Sequence, residues 1–318
     1  MNAADISALA GAVKSEISKA VVGQDAAVEL LLTTLFAGGH ILLEGPPGVA
    51  KTFLARTFAT TLRLDFSRIQ FTPDLMPGDV VGSNIFDFRA SAFTLTKGPI
   101  FAELLLADEI NRTPPKTQAA LLEAMQERAV TIDGTTHALS QHFMVIATQN
   151  PIEHQGTYPL PEAQLDRFLF KHVLDYPDRE EELKIVAQHG AHAVSGEPQD
   201  YDVAAVVDEG ALDAAIDAVR QVRITSEIVE YVVNLVRATR DAAAFVTGAS
   251  PRAAAMLAAA ARARAALDAR DYVIPDDVKV LARPALRHRV ILSPMAEIDG
   301  ETPDAALAAV LEAVDAPR

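Results

Sequence analysis

The chain of 318 residues contains no cysteine, and it has fewer basic than acidic side chains. Without cysteine it has neither a disulfide framework nor a thiolate metal site, which fits a reducing compartment. The 28 Lys and Arg against 43 Asp and Glu give a formal net charge of −15 and a pI near 4.9. Because nucleic-acid binding depends on clustered positive charge, this balance argues against nucleic acid as a partner.

Long apolar runs are missing as well. A membrane-spanning helix needs roughly 18 or more consecutive apolar residues, and a secretory signal needs a basic segment followed by an apolar one. The sequence shows neither pattern. We therefore expect a cytoplasmic protein with no membrane span. Its length is sufficient for two domains, each with a hydrophobic core.

Basic residues in the last third of the chain are the exception to the acidic balance. They form a local basic patch, a solvated helix face or contacts to acidic neighbouring subunits, and the sequence favours the last two. The residues concerned are Arg262, Arg264, Arg283, Arg287, His288 and Arg289.

A short apolar run at residues 41–44 leads into a glycine-containing loop that ends at Lys51 and Thr52. Backbone N–H groups of such a loop and the following helix surround a polyphosphate, the lysine neutralises charge, and the threonine reaches Mg²⁺. A helix from Phe53 to Leu62 completes the context. The pattern predicts ATP and Mg²⁺ binding; a strand-to-helix turn without a ligand is the alternative. The loop residues are Gly45, Pro46, Pro47, Gly48, Val49 and Ala50.

One loop position departs from the usual phosphate-binding pattern, in which the residue before the lysine is glycine. Here it is Ala50. Because a β-carbon disfavours positive φ, we expect Ala50 to have a right-handed helical conformation, with its amide still directed at the phosphates.

A second apolar run, residues 104–107, ends in two adjacent carboxylates, Asp108 and Glu109. Ligands of parallel α/β sheets bind at the carboxyl ends of strands. Asp108 is suited to hold Mg²⁺ and its water, and Glu109 to orient and deprotonate the water that attacks the γ-phosphate. Alone, the pair could equally be a solvated strand end; after a phosphate-binding loop, that alternative falls behind.

A third strand is expected at residues 143–148, followed by Gln149 and Asn150. The amide of Asn150 can hydrogen-bond both the attacking water and a phosphate oxygen without competing for Mg²⁺. We predict this sensing role for Asn150. A simple turn formed with Pro151 is the alternative.

Four motifs together resemble the MoxR family of AAA+ ATPases. They are residues 45–52, 107–112, 147–151 and 156–168, and the likeness extends from about Val21 to Arg289. In that family an alanine commonly precedes the loop lysine. The resemblance implies an α/β fold: a P-loop AAA+ core with a parallel sheet flanked by helices, followed by a C-terminal all-α lid.

Two arginines acquire roles from this resemblance. Arg167 matches the arginine finger, which reaches the γ-phosphate held by a neighbouring subunit; pairing with Asp166 or Glu162 on its own surface is the alternative. Arg252 matches sensor 2, on a helix that Ser250 is expected to cap. A carboxylate of the lid is the alternative partner of Arg252, and whether it serves its own or a neighbour's nucleotide stays open.

The segment that contains Val22 and Gly23 borders the adenine in the family pattern. Small apolar residues and a glycine are suited to stacking on a flat base. Ordinary helix-entry packing is nearly as plausible a reading of these residues.

The long stretch at residues 71–101 is expected to contain the helix-2 insert of this clade, with residues 93–96 as one strand of a hairpin. An Asp-Gly turn within residues 130–136 predicts a second hairpin. The hairpins could grip a substrate in a central pore or form passive subunit contacts.

Strands and helices alternate before residue 177, and helical periodicity dominates after it. We therefore divide the chain into an ATPase core at residues 1–177 and a helical lid at residues 178–318. An N-terminal helix is marked by Ile6, Leu9, Val13 and Ile17. In the lid, four valines at helical spacing are expected to lie in the core. They are Val229, Val232, Val233 and Val236.

The resemblance implies ATP hydrolysis at the subunit interfaces of a homo-oligomeric ring, expected to be a hexamer. MoxR relatives remodel client proteins, or help insert metals into them, together with a partner that has a von Willebrand A domain. Two other functions are weighed: the ATPase subunit of a magnesium-chelatase-like motor, and a nucleotide-operated switch with little turnover. Neither the client nor the partner is specified by the residues.

Overall fold

The structure is a computed structural model that describes residues 1–88, 91–151, 156–190 and 196–317. In the first part helices and strands alternate. Its elements are α1 (Ala3–Ile17), α2 (Asp25–Phe36), β1 (Ile41–Glu44), α3 (Lys51–Leu62), β2 (Phe66–Gln70), α4 (Pro77–Val81), β3 (Gly82–Asp87), β4 (Ala92–Lys97), β5 (Leu104–Asp108), α5 (Pro115–Glu127), β6 (Ala129–Ile132), β7 (Thr135–Ala138), β8 (Met144–Gln149), α6 (Glu162–Leu165) and β9 (Phe170–Val173).

Helices predominate in the second part, called the lid below, as expected. Its elements are α7 (Arg179–His189), α8 (Glu209–Arg220), α9 (Ser226–Asp241), β10 (Phe245–Thr247), α10 (Pro251–Leu267), α11 (Pro275–Leu286), β11 (Ile291–Leu292), α12 (Pro294–Ile298) and α13 (Pro303–Ala313). Strands β10 and β11 form a short antiparallel pair. None of the helices in the described ranges is both long and apolar enough to span a membrane.

A five-stranded parallel sheet forms the centre of the first part, in the order β2-β5-β8-β1-β9. The strands β5 and β8 are almost completely buried, which explains their continuous apolar sequences. One hydrophobic cluster on one face includes residues of α1 to α3, and another on the opposite face includes residues of α5. Because all five strands are parallel, their carboxyl ends share one edge of the sheet.

The lid packs onto the first part through α10, which contacts α1 and α2 as well as its neighbours α8, α9 and α11. Small alanine side chains on α10 allow this close helix packing, and most of the buried residues of α10 are alanines. One hydrophobic cluster runs through both parts. The domain division at residue 177 therefore stays a prediction.

The expectation for the lid valines is half wrong. Val232 and Val236 are buried, whereas Val229 and Val233 are 43% and 41% exposed. The buried stripe of α9 follows a phase that begins at Ile228, which turns Val229 and Val233 toward solvent. Its members are Ile228, Tyr231, Val232, Leu235, Val236 and Thr239.

Two hairpins project from the first part, as predicted. The β3–β4 hairpin pairs Phe86 with Phe93, and the β6–β7 hairpin turns at Asp133 and Gly134, both with positive φ. This combination of dihedrals matches the right-handed twist of the flanking strands. The Asn84 side chain of the first hairpin donates a 2.8 Å hydrogen bond to Asp133 of the second. The two hairpins are thus joined to each other.

Candidate functional site

The loop between β1 and α3 has two residues with positive φ. Gly48 has φ 87°, and Ala50 has φ 58° and ψ 24°, so Ala50 is left-handed. The expectation of a right-handed Ala50 is therefore wrong. A left-handed alanine costs about 1–2 kcal/mol, and such strain persists only where the surrounding structure imposes it. Here the loop must reverse into α3 within six residues, which requires a left-handed step directly before Lys51.

The ammonium of Lys51 lies inside this loop. Its Nζ donates hydrogen bonds to the backbone oxygens of Gly45 at 2.5 Å and Pro46 at 3.2 Å. Burial lowers the pKa of Lys51 from its ordinary value, although nearby carboxylates oppose that effect; they are Asp108, Glu109 and Glu44. The loop therefore encloses a cation that faces the carboxyl edge of the sheet.

The Asp108 carboxylate connects three elements around this loop. Its Oδ2 accepts from the Thr52 hydroxyl at 3.1 Å, and its Oδ1 accepts from the Thr148 hydroxyl at 2.6 Å. The Arg68 guanidinium, on the neighbouring strand β2, also donates to Oδ2, at 3.1 Å from Nε and 2.7 Å from Nη2. Asp108 is almost buried, so each of these contacts limits where its oxygens point.

Glu109 follows immediately and has an unusual backbone. Its φ of 58° and ψ of 49° are left-handed, and its N–H donates to the Thr148 hydroxyl at 2.9 Å. The carboxylate accepts from Gln70 Nε2 at 2.5 Å and pairs with Arg112 Nε at 3.2 Å. Left-handed non-glycine residues cluster at functional sites, because the surrounding structure must impose them. The strain turns the Glu109 side chain away from the direction that a continued strand would give it.

Asn150, one residue beyond β8, is 7% exposed. Strand β8 pairs Gln149 with Glu44, and the Gly45 amide donates to the Gln149 oxygen at 3.3 Å. This register places Asn150 beside Gly45, at the start of the loop between β1 and α3. Asn150 also lines a cavity of about 310 Å³, to which Glu44, Asn111 and Gln149 contribute.

The remaining loop residues differ in exposure. Val49 is buried in the core, so it faces the loop with its backbone alone, whereas Pro47 and Gly48 are exposed. Gly45 is buried, and a β-carbon there would lie 2.6 Å from the Leu174 oxygen. Glycine at that position is therefore required by the neighbouring chain after β9.

Val22 and Gly23 lie beside the first helix of the lid. Gly23 has φ 75°, and a β-carbon built on it would lie 2.5 Å from Cδ of Glu181 in α7. Val22 is half-buried. The segment predicted to border adenine thus lies beside α7, and the positive φ of Gly23 favours glycine there.

The two arginines assigned from the resemblance both have uncommitted guanidinium groups. Within the described ranges, neither Arg167 nor Arg252 forms a side-chain hydrogen bond or ion pair. The carboxylate of Asp166 pairs with Arg289 instead of Arg167. Ser250 caps α10, as expected, so the exposed Arg252 is the second residue of that helix. The alternative in which Arg167 pairs with its neighbours is therefore wrong.

Four of the six basic residues singled out in the lid are buried or paired with acidic side chains. Arg289 and His288 are buried, and Arg264 and Arg287 pair with acidic residues. Burial lowers the pKa of His288 well below its ordinary value, so this imidazole is neutral. Of the other two, Arg262 donates to the Val222 oxygen at 3.0 Å, and Arg283 is exposed.

Thr52 and Asp108 fit a magnesium ion. They offer a hydroxyl and a carboxylate whose oxygens are 3.1 Å apart. No group of three or more His, Cys, Asp or Glu arranged to hold a metal is found among the described residues. Mg²⁺ is usually bound by one or two carboxylates together with phosphates and waters, so a small protein donor set suits it.

Sequence patterns alone did not indicate Arg68, Gln70 or Thr148. The signal for Gln70 is its place at the carboxyl end of β2, opposite Asp108 in the register. Thr148 ends the third apolar run, where its hydroxyl can reach the strand beside it. Arg68 has no signal beyond being an arginine within a strand.

Comparisons with known proteins agree with this geometry. The family described as "ATPase family associated with various cellular activities (AAA)" matches residues 40–170, and the family described as "AAA lid domain" matches residues 237–310. A crystal structure of a Cytophaga hutchinsonii protein assigned as an ATPase has a TM-score of 0.91 and 41% sequence identity. It covers 99% of this chain, and the match covers 97% of that one.

Curated relatives are similar over nearly the whole chain. The chain is 46% identical over 315 residues to uncharacterized protein YeaC of Bacillus subtilis, covering 98% of this chain and 96% of the relative. It is 45% identical to Chaperone MoxR1 of Mycobacterium tuberculosis, with 95% and 81% covered. It is 33% identical to Protein MoxR of Methylorubrum extorquens, with 95% and 93% covered.

Proposed function

We propose, since this chain belongs to the MoxR family of AAA+ ATPases, that it hydrolyses ATP with Mg²⁺ at the subunit interfaces of a hexameric ring. One observation carries the proposal most directly: the hydroxyl of Thr148 contacts both the carboxylate of Asp108 and the amide of Glu109. This contact fixes two acidic residues at the sheet edge beside Lys51.

The residues of one subunit have different roles in this proposal. Lys51 and the amides of the loop bind the phosphates, and Thr52 and Asp108 hold Mg²⁺. Bound there, Mg²⁺ would supply charge neutralisation for the phosphates. Glu109 orients the attacking water and accepts its proton, while the Asn150 amide holds the water and a phosphate oxygen in register.

A neighbouring subunit completes the site. Arg167 supplies a guanidinium that stabilises the negative charge of the transition state. Its lack of a partner among the described residues supports this role, because a guanidinium already paired with carboxylates would have to give them up. Arg252 has the same uncommitted character and is assigned to a phosphate at the same interface.

Hydrolysis is coupled, in this proposal, to remodelling of client proteins together with a partner that has a von Willebrand A domain. The support is kinship: one relative is named Chaperone MoxR1. In this proposal the nucleotide drives a movement between the core and the lid, because Glu181 of α7 lies beside Gly23, in the segment predicted to border the adenine. A cytoplasmic location is proposed on the same grounds as above.

The test is phosphate release by the purified, assembled protein. Glu109→Gln keeps the size of the side chain and removes the base, so it should lower kcat about 100-fold or more and leave ATP affinity nearly unchanged. Glu123→Gln, an exposed residue of α5, is the matched control and should behave as wild type. Lys51→Ala should weaken ATP binding.

Two results would contradict the proposal. If the assembled wild type released no phosphate, it would be a nucleotide-operated switch. If Lys51→Ala bound ATP as tightly as wild type, the loop would not be a phosphate site. Pull-down of client proteins with ATP-bound Glu109→Gln would then separate a MoxR-type function from a magnesium-chelatase-like one.

A further inference from the structure

The carboxylate of Asp166 joins the segment of Arg167 to two separate parts of the lid. Its Oδ1 accepts a 2.7 Å hydrogen bond from Arg289 Nε, just beyond α11. The Ser250 hydroxyl, which caps α10, lies 3.4 Å from Oδ1 and 3.3 Å from Oδ2. A single carboxylate next to the predicted finger therefore contacts both α10 and the end of α11.

The guanidinium of Arg289 is completely enclosed, with 1% of the side chain exposed. Nη2 donates to the backbone oxygens of Asp166 at 3.1 Å and Phe168 at 2.5 Å. Nη1 donates to Leu169 at 3.1 Å and to Ala285. With the bond from Nε to the carboxylate, all five N–H groups have an oxygen acceptor.

These contacts involve the residues directly before and after Arg167 in the sequence. The carbonyl groups of the residues directly before and after it are both held by Arg289, and His288 adds a contact from Nε2 to the Phe168 oxygen at 3.0 Å. The guanidinium of Arg167 itself has no partner in the described part of the chain. Its backbone is thus fixed, and its side chain remains available.

The same carboxylate touches the residue that caps the helix of the second uncommitted arginine. Ser250 is followed by Pro251 and Arg252, which form the first turn of α10. A displacement of α10 relative to the core changes the contact between Ser250 and Asp166, and thereby acts on the segment that carries Arg167. One side chain thus contacts the cap of the helix that carries Arg252 and directly precedes Arg167.

We infer that Asp166 and Arg289 are positioning residues, which fix where Arg167 projects at the subunit interface and link that position to the lid helix carrying Arg252. This inference rests on the proposed function. Stability alone is a weak reason for such a pair, because well-packed apolar residues are often as stabilising as a buried ion pair. The planar fork of arginine, by contrast, suits a site that must fix several carbonyl groups at once.

A double-mutant cycle tests the inference. Asp166→Asn keeps the shape and one acceptor oxygen but removes the charge, so it should lower kcat about tenfold in the wild type. In the Arg167→Ala background it should lower kcat less than about twofold, because it acts through an arginine that is already gone. KM for ATP should change little in either background. Asp241→Asn, on the lid surface, is the control for the lost charge.

A mixing experiment adds a readout that a merely structural role would not change. Asp166→Asn subunits retain their own Lys51 and Glu109, so an adjoining Glu109→Gln subunit with an intact finger should restore hydrolysis at their sites. Mixed assemblies should therefore exceed the summed activity of the two separate variants. Size-exclusion chromatography and thermal unfolding verify that each variant is folded and assembled.

The outcomes separate the two claims. Wild type without ATPase activity, or Arg167→Ala with unchanged kcat, contradicts the proposed function. If both of those behave as expected but the effect of Asp166→Asn is fully additive, or mixing restores nothing, the inference alone is wrong. Should Asp166→Asn fail to assemble, Asp166→Glu replaces it; the longer side chain keeps the charge, displaces the finger, and must give the same non-additive pattern.

Discussion

The guanidinium of Arg68 approaches Asp108 on the same oxygen, Oδ2, that accepts the hydrogen bond from Thr52. The Nη2 to Oδ2 distance is 2.7 Å, and the Arg68 side chain is 42% exposed. The oxygen assigned to Mg²⁺ is therefore already in contact with a cationic side chain from the adjacent strand. An arginine and a metal ion at one carboxylate oxygen compete for it.

Removing Arg68 should make the site easier to load with Mg²⁺. Because the Arg68 guanidinium is partly exposed, solvent screens the pair, and Arg68→Ala should lower the Mg²⁺ concentration for half-maximal ATPase activity by about two- to fivefold. Titration of Mg²⁺ at saturating ATP measures the effect. Arg63→Ala removes an exposed arginine that lacks such a contact and is the control. An unchanged or higher Mg²⁺ requirement in Arg68→Ala would contradict the competition.

The left-handed Ala50 predicts an unusual response to glycine. Ala50→Gly removes the steric cost of positive φ and should stabilise the protein by up to about 1 kcal/mol. Ala55→Gly, in the buried interior of α3, should destabilise it by about 1 kcal/mol. Urea unfolding of both variants gives the comparison. Equal losses in the two would show that Ala50 is not strained.

A third prediction concerns pH and His142, which lies between Glu103 at 3.2 Å and Asp213 at 2.8 Å. Burial lowers the pKa of His142, but the two carboxylates outweigh burial and raise it above its ordinary value. Two cations, Arg128 and Arg220, line the same cavity of about 250 Å³. The protonated imidazole is nevertheless the form that folding favours.

Because the folded-state pKa is raised, the contribution of His142 is fully present below about pH 6.5 and is lost as pH rises through the raised value. His142→Gln should therefore reduce the free energy of unfolding more at pH 6 than at pH 8.5. The difference should stay below about 1 kcal/mol, since the Asp213 side chain is 55% exposed. Urea unfolding at both values measures it, with His137→Gln as control. A larger loss in the free energy of unfolding at pH 8.5 than at pH 6 would contradict the prediction.

The backbone of the site was largely predictable from local patterns. Apolar runs that end at Glu44, Asp108 and Gln149 identify three strands, and parallel pairing necessarily brings their carboxyl ends to one edge. Hairpin turns are equally local, because Asp133 and Gly134 form an Asp-Gly pair, which favours the positive φ angles that this turn needs. In these cases the signal lies within a few residues of the feature.

Other parts of the site depend on distant residues and were not predictable. Arg289 is 123 positions from Asp166, so the contact exists only once the lid is packed. Arg68 and Gln70 reach the two carboxylates because β2 pairs with β5. The sequence of neither strand indicates which strand lies beside it in the sheet. The error at Ala50 has the same origin: local preference favours a right-handed residue, and the path of the loop overrides it.

The hydrogen bond from Asn84 to Asp133 holds the two hairpins together. The first hairpin carries the exposed rings of Phe86, Phe88 and Phe93, and the second follows directly from α5. A displacement of the first hairpin is therefore resisted by the second as well. Along the chain, the second hairpin leads back through α5 to the strand that ends at Asp108, so one hydrogen bond and one continuous stretch of backbone connect the exposed rings with the proposed hydrolysis site.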